Sequence, residues 1–469
     1  LDIVNAQGDQ RRQEVDSRHT DLSKASVKRV EHLLEVFEEI DETPEITSGL
    51  LRRFQTGYLQ LPREEKAWFF EILIRRFEIH KGGIVEGLQR VQRADEEDAI
   101  AWSALLTSLR RDLESPRMRA FRKLLNISGG LKFLLDLRAD VLTIQRQALV
   151  NLEPLDEEIA HLFNSWFQQG FLFIQEITRD SSFRQIRFLK EHDMVHPMTS
   201  LEEMGDRLGE DRRCFALYHL AMPDEPVVFI EVALTKGIVR TIHEIIGDQV
   251  IQTGRKGKPD TAIFYSINNT QNGLAGIGLG KVLIFQVVEA LKKDNSDIGI
   301  FCTLSPMPGF WERYFKCILQ GEDAPFSLKR HRLSEFFPEK IQEELLERHE
   351  DKTGREASSL YNAMVEIFSD PQWIDDPNYV QLLKKPMTEL AHYYITHEKN
   401  EKGKPRSPVA NFHLGNGATV SIRNVNFAAN RSRRGLEESC GMMVNYVYST
   451  NWLQQIGQTV QSLLPWKVK

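Results

Sequence analysis

A chain of 469 residues is too long for one hydrophobic core, so two or three domains are expected. Hydrophobic residues make up 41% and charged residues 27%, ordinary for a globular protein, and the net charge of -7 lacks the basic surplus of a nucleic-acid binder. No apolar run reaches the roughly 18 residues of a membrane span, so no membrane partner is expected.

The opening segment, Leu1 to Val15, has no apolar signal core. It begins on Leu1 rather than Met, so a native start upstream is expected. The ending Trp466-Lys467-Val468-Lys469 is not a peroxisomal signal. The four cysteines, Cys214, Cys302, Cys317 and Cys440, show no CxxC or zinc spacing. They suit a reducing compartment, and a cytoplasmic location is expected.

Residues 1–168 read as helices. Val27, Val30, Leu33, Leu34, Phe37 and Ile40 recur at spacings of three and four. Pro62 followed by Glu64 and Glu65 marks a helix start. Trp102 to Leu113 and Leu131 to Ile144 give two more stripes, the second after Gly129-Gly130. A helical bundle for packing or oligomerisation is expected.

The pattern changes near residue 169. Phe171 to Ile177 reads as either a continued helix or a first strand. Cys214 to Leu220 and Val227 to Leu234 read as strands, joined into a hairpin by Met222-Pro223-Asp224-Glu225-Pro226. Thr253 to Pro259 is a polar loop. A strand at Thr261 to Ile267, a glycine-rich turn, a helix at Leu279 to Lys293 and a strand at Ile298 to Leu304 form one unit of a mixed sheet. Ser327 to Glu398 is helical with a loop at Asp370 to Pro377, Lys399 to Arg406 is a basic connector, Pro408 to Asn416 is an ordered apolar segment, and Trp452 to Leu464 is a final helix candidate.

Three segments carry candidate chemistry. In Ala275-Gly276-Ile277-Gly278-Leu279-Gly280-Lys281, glycines let a backbone approach a ligand closely, and free N–H groups at a helix start attract phosphate. The spacing fits neither the dinucleotide fingerprint nor a P-loop, and tight helix packing is the competing reading. Ser305, in Leu304-Ser305-Pro306-Met307-Pro308-Gly309-Phe310, stands at the end of a strand, either as a ligand group or as a turn cap. His413, in Asn411-Phe412-His413-Leu414-Gly415, lies between apolar neighbours and is either a structural or a catalytic imidazole. His192 and His196 are spaced i,i+4, but Pro197 disfavours a helical metal pair; no metal site is expected.

The glycine loop resembles the pyrophosphate loop of GNAT acyltransferases, with Gly278 and Gly280 at its two small positions and Ala275 in place of the usual Arg or Gln. With Phe264-Tyr265-Ser266-Ile267, the Ser305 segment, Pro408 to Leu414, Ser439-Cys440-Gly441 and Asn445-Tyr446-Val447-Tyr448, it resembles the malonyl-CoA decarboxylase family, in the family's order, from about Phe171 to Tyr448. The resemblance implies an α+β protein: an all-helical N-terminal bundle, residues 1–168, then a GNAT-like mixed-sheet catalytic domain with helical insertions, residues 169–469. It implies decarboxylation of malonyl-CoA to acetyl-CoA with no metal or organic cofactor, coenzyme A being part of the substrate, and a homo-oligomer, either a tetramer or a dimer of dimers. It makes Ser305 and His413 the catalytic pair, places Tyr448 near them, and gives Ala275 to Lys281 the CoA contacts. It also implies an acid where this chain has Gly278, one that could orient the His; if so, another group or a water must hold His413 here. The competing functions are an N-acyltransferase on the same CoA cradle and a non-catalytic CoA sensor or scaffold.

Overall fold

The computed structural model describes residues 23–449 apart from 80, 95–97, 148–149, 199, 247–256, 323 and 356; the helix candidate at Trp452 to Leu464 and part of the polar loop at Thr253 to Pro259 lie outside the described residues. Two compact units divide the chain. One contains the residues up to Leu172 together with His219–Asp224 and Gln271–Ile277, and the other contains Phe173–Tyr218, Glu225–Thr270 and everything from Gly278.

The first unit is helical, with helices at Lys24–Glu42, Ser48–Leu59, Arg63–Arg76, Lys81–Arg93, Ala99–Asp112, Pro116–Leu125, Gly130–Arg146 and Glu153–Trp166. Their starts follow local chemistry. Ser23, Thr47 and Ser115 each accept a backbone N–H as N-caps, and Pro116 fills the first position of its helix. The stripe from Val30 to Ile40 is buried, and Phe37 packs edge-on against Phe77 and Phe121 with centroids 5.1 and 5.5 Å away. Burying each such side chain contributes about 1.5–3 kcal/mol. Two arginines are almost fully buried among these helices. Arg117 holds Glu158 at 2.6 Å and Glu78 at 2.9 Å, and Arg138 holds Asp156 at 2.7 Å.

Arg138 also donates through Nη1 to the carbonyls of Gly273 and Ala275, at 2.5 and 3.0 Å. The stretch Gln271–Ile277 therefore rests on the Gly130–Arg146 helix. A Cβ on Gly273 would stand 2.0 Å from the Leu135 carbonyl oxygen, and a helix backbone has no means of yielding there. Gly273→Ala is expected to destabilise the protein by about 1–3 kcal/mol, the usual cost of overpacking, read as a lower midpoint in chemical denaturation.

The second unit is built on strands β1 (Leu172–Ile177), β2 (Arg212–His219), β3 (Val228–Thr235), β4 (Thr261–Asn269), β5 (Ile300–Thr303), β6 (Ser305–Pro306), β7 (Ala418–Thr419), β8 (Val425–Asn426), β9 (Met443–Val444) and β10 (Val447–Tyr448). Seven form one sheet in the order β1-β2-β3-β4-β5-β10-β7, and β6-β9-β8 form a second. Of the segment Phe171 to Ile177, Leu172–Ile177 is a strand, β1, and Phe171 closes a 3-10 turn. The hairpin read from the sequence is β2 against β3, antiparallel, with Leu217 opposite Val228. β4 and β5 are parallel, as a helical crossover requires; that crossover is the Gly280–Asp294 helix, with Leu283, Ile284, Val287, Val288 and Leu291 buried. The architecture is α+β, a helical bundle followed by a mixed-sheet domain with helical insertions at Glu339–Thr353, Leu360–Ser369 and Pro377–Thr396.

His192 and His196 have separate surroundings. His192 stacks on Phe188 at 4.0 Å between centroids. His196 is buried, and burial lowers its pKa to about 4, which leaves it neutral. Beside it, buried Asp193 accepts from Arg207, Ser266 and Asn268 and so ties the segment after His192 to the sheet. No described helix is long and apolar enough to cross a membrane.

Candidate active site

Where β5 ends, the chain changes sheets. Thr303 still belongs to the seven-stranded sheet, its N–H donating to the Tyr446 carbonyl at 2.9 Å. Ser305 already pairs with Val444 across β6 and β9. Alternation along an extended chain puts residues 303 and 305 on one side. Their hydroxyls meet there, Ser305 Oγ lying 2.9 Å from Thr303 Oγ1.

His413 arrives on a different element. Ser407 caps the helix Pro408–Gly415 by accepting the Ala410 N–H, and Pro408 supplies its fixed φ at the first position. His413 lies in the last turn of that helix. Its Nε2 is 3.1 Å from Ser305 Oγ, and its Nδ1 is 2.9 Å from the Tyr448 hydroxyl on β10. Tyr448 is fixed by the pairing of β10 with β5, directly opposite Phe301. The structure therefore brings Ser305, His413 and Tyr448 into one chain of contacts. Among the described residues, Tyr448 is the group that meets His413 Nδ1.

The surroundings are dry. Ser305, His413 and Tyr448 are only 6%, 4% and 2% exposed, which leaves little solvation for a charge. Burial lowers the His413 pKa to about 3, so the imidazole is neutral across the physiological range. Burial pushes the phenols of Tyr446 and Tyr448 well up, so both are protonated. The Tyr446 ring lies over the imidazole, with centroids 4.9 Å apart and a 24° interplanar angle.

Sequence reasoning missed the supports of this chain. Thr303 and Tyr446 touch its members directly. Asn445, buried to 1%, donates to the carbonyls of Thr303 and Val239 at 2.6 and 3.1 Å and receives Asn426 Nδ2 at 2.8 Å. This asparagine locks the crossover between the two sheets. The two-residue spacing of Thr303 and Ser305 was one available signal, and the Asn445-Tyr446-Val447-Tyr448 motif was another.

The glycine loop divides into different roles. Gly276 and Gly278 have φ of +83° and +78°, are exposed, and have open space where a Cβ would stand. Gly280, by contrast, is buried; a Cβ there would meet the Phe412 ring at 2.5 Å and Asn416 Nδ2 at 2.7 Å. Ala275 gives its carbonyl to Arg138. Ile277 and Leu279 are half-buried, and the side chain of Lys281 lies outside the described residues.

Residues 170–459 match the model of the malonyl-CoA decarboxylase C-terminal domain, and residues 73–167 match that of the N-terminal domain. The mitochondrial malonyl-CoA decarboxylase of Anser anser anser is 33% identical over 382 residues, covering 80% of this chain and 73% of that protein. The Mus musculus protein of the same name is 31% identical over 438 residues, covering 91% of this chain and 85% of that protein. Among solved structures, malonyl-CoA decarboxylase from Rhodopseudomonas palustris superposes with a TM-score of 0.72 at 29% identity, covering 92% of this chain and 96% of that one. The structure of the protein of that name from Agrobacterium vitis gives a TM-score of 0.70 at 28% identity, over 92% and 96% of the two chains. Two domain models matched in order, together with relatives aligned over most of their length, show that the chain belongs to the malonyl-CoA decarboxylase family.

Proposed function

We propose that this chain releases CO2 from malonyl-CoA through a thioester enolate, with Ser305 and His413 as the polar and acid–base pair. Breaking the bond between the α-carbon and the carboxylate leaves its electron pair on the α-carbon, delocalised onto the thioester oxygen. The thioester is itself the electron sink, so the protein has to orient the carboxylate, stabilise the enolate and deliver one proton to the α-carbon. Donors aimed at the developing charge lower that barrier most when water is excluded. The observation that carries this reading is the Ser305–His413 contact of 3.1 Å in a site that excludes water.

A neutral imidazole suits the proton delivery. It gives up a proton at one nitrogen as it takes one at the other, so no buried imidazolium has to form. Ser305 is the member next to the substrate, and His413 and Tyr448 replenish it. The net proton consumed in each turnover comes from solvent. The Ala275 to Lys281 loop takes the CoA pyrophosphate on backbone N–H groups. Exposed Gly276 and Gly278 permit that approach, and the Gly280–Asp294 helix begins in the same stretch of chain.

The deciding experiment mixes the protein with malonyl-CoA alone. CO2 and acetyl-CoA are expected in equal amounts without an amine acceptor. Turnover only when an amine is supplied would replace this reading with acyl transfer, and binding without turnover would replace it with a sensor.

A further inference from the structure

The direction of each hydrogen bond around Ser305 can be deduced from one fixed end. The Val444 carbonyl oxygen can only accept, and Thr303 Oγ1 lies 3.3 Å from it. Thr303 has a single hydroxyl hydrogen, and this contact uses it. Its oxygen then serves as acceptor, for the Tyr446 N–H at 3.1 Å and for the Ser305 hydroxyl at 2.9 Å. With the Ser305 hydrogen given to Thr303, the contact between Ser305 Oγ and His413 Nε2 requires an N–H on Nε2. A neutral ring protonated at Nε2 leaves Nδ1 bare, so the Tyr448 O–H donates to Nδ1.

We infer that Thr303 is a positioning residue that fixes His413 in its Nε2–H tautomer and so points the Tyr448–His413–Ser305 chain toward Ser305. This rests on the decarboxylation reading above, and it adds what that reading leaves open, which is the polarity of the proton path. Once the Ser305 O–H turns from Thr303 to the α-carbon, every step moves a proton toward the substrate: Tyr448 O–H to Nδ1, Nε2–H to Ser305 Oγ, and Ser305 O–H to the α-carbon. The enolate gains one proton and solvent returns one to the tyrosine; the ring is left as Nδ1–H, and it returns to Nε2–H by tautomer exchange before the next turnover, Thr303 favouring that form. If Ser305 donated to Nε2 instead, the ring would hold its hydrogen on Nδ1 and the chain would point away from the substrate.

Thr303 is wholly buried and makes no contact with His413 among its hydrogen bonds, so its effect is transmitted through Ser305. Thr303→Val keeps the shape and removes the acceptor; Thr303→Ser keeps the acceptor. The test is 15N NMR of histidine-labelled full-length enzyme without substrate, with the His413 signals assigned by their absence from His413→Asn, alongside steady-state kinetics. The wild type is expected to carry its proton on Nε2. In Thr303→Val the proton is expected on Nδ1, with kcat down about 30-fold and KM changed less than about threefold, the signature of lost proton delivery rather than lost binding. Thr303→Ser is expected to restore the Nε2–H signal and most of kcat.

An Nε2–H signal and near-wild-type kcat in Thr303→Val would overturn the positioning role while leaving the decarboxylase reading intact. Equal loss in Thr303→Val and Thr303→Ser with an unchanged tautomer would also overturn it, because that pattern marks a merely structural residue. Absence of CO2 release by the wild type would instead overturn the functional reading beneath it, a failure that the tautomer of the resting enzyme does not enter.

Discussion

Ser305→Ala and His413→Asn are each expected to lower kcat for malonyl-CoA by at least about 100-fold, the scale of losing a key polar or acid–base group in a site that excludes water. The two losses are expected not to multiply. Ser305 and His413 are adjacent members of one chain, 3.1 Å apart, so the first deletion already disables the path that the second would remove. A fall of less than about threefold in both single variants would refute their roles, being far below that range. Neither change removes much packing: Ser305→Ala deletes one oxygen, and asparagine keeps a polar group beside Tyr448. Thermal midpoints close to wild type would therefore show that the loss lies in chemistry rather than in folding.

The charge state of the imidazole gives the same site a distinct pH signature. The folded pKa of His413 is lowered to about 3 by burial, from an ordinary value of 6.5. The ring is therefore neutral from pH 8 down to pH 5, and it gains a proton only toward pH 3. An NMR titration of His413 between pH 8 and 5 is expected to be flat, and no limb of the kcat/KM profile near pH 6.5 is expected to come from this residue. A midpoint near 6.5 in that titration would show a solvated imidazole and would contradict the dry site.

Much of this architecture was legible in the sequence, for identifiable reasons. The stripe from Val30 to Ile40 and the hairpin of β2 and β3 announce themselves through local periodicity and a proline-rich turn. Ser305 and His413 were ambiguous residue by residue, since a turn serine and a buried histidine are common, and only the ordered set of motifs from Phe171 to Tyr448 singled them out. What was hidden depends on contacts distant along the chain. Arg117 and Arg138 look like surface cations, because their carboxylate partners lie 41 and 18 residues away. Asn445 acts on Thr303 from 142 residues downstream. The change of sheet at Leu304 is also unreadable locally, because a strand running into two prolines looks the same whether it ends in a turn or begins a second sheet.

The glycine loop shows how one sequence signal can carry two physical causes, and two substitutions separate them. At Gly278 the space is open but φ is +78°, so Gly278→Ala strains the backbone by about 1–2 kcal/mol without meeting a neighbour. Its expected effect is a higher KM for malonyl-CoA with kcat little changed, because it disturbs a segment proposed to hold CoA. Gly280→Ala puts a methyl 2.5 Å from the Phe412 ring and 2.7 Å from Asn416 Nδ2. Those residues flank His413 on its own helix, and the Phe412 and His413 rings meet edge-on at 5.0 Å. Relieving the clash moves the helix end that aims the imidazole at Ser305. A displacement of about 1 Å costs up to about 100-fold in rate, so kcat is expected to fall about 10- to 100-fold while KM changes less. Matching effects of the two substitutions on KM alone would mean that all the glycines serve the phosphate loop. A fall in kcat confined to Gly280→Ala would mean that the last of them is there to let the His413 helix come close.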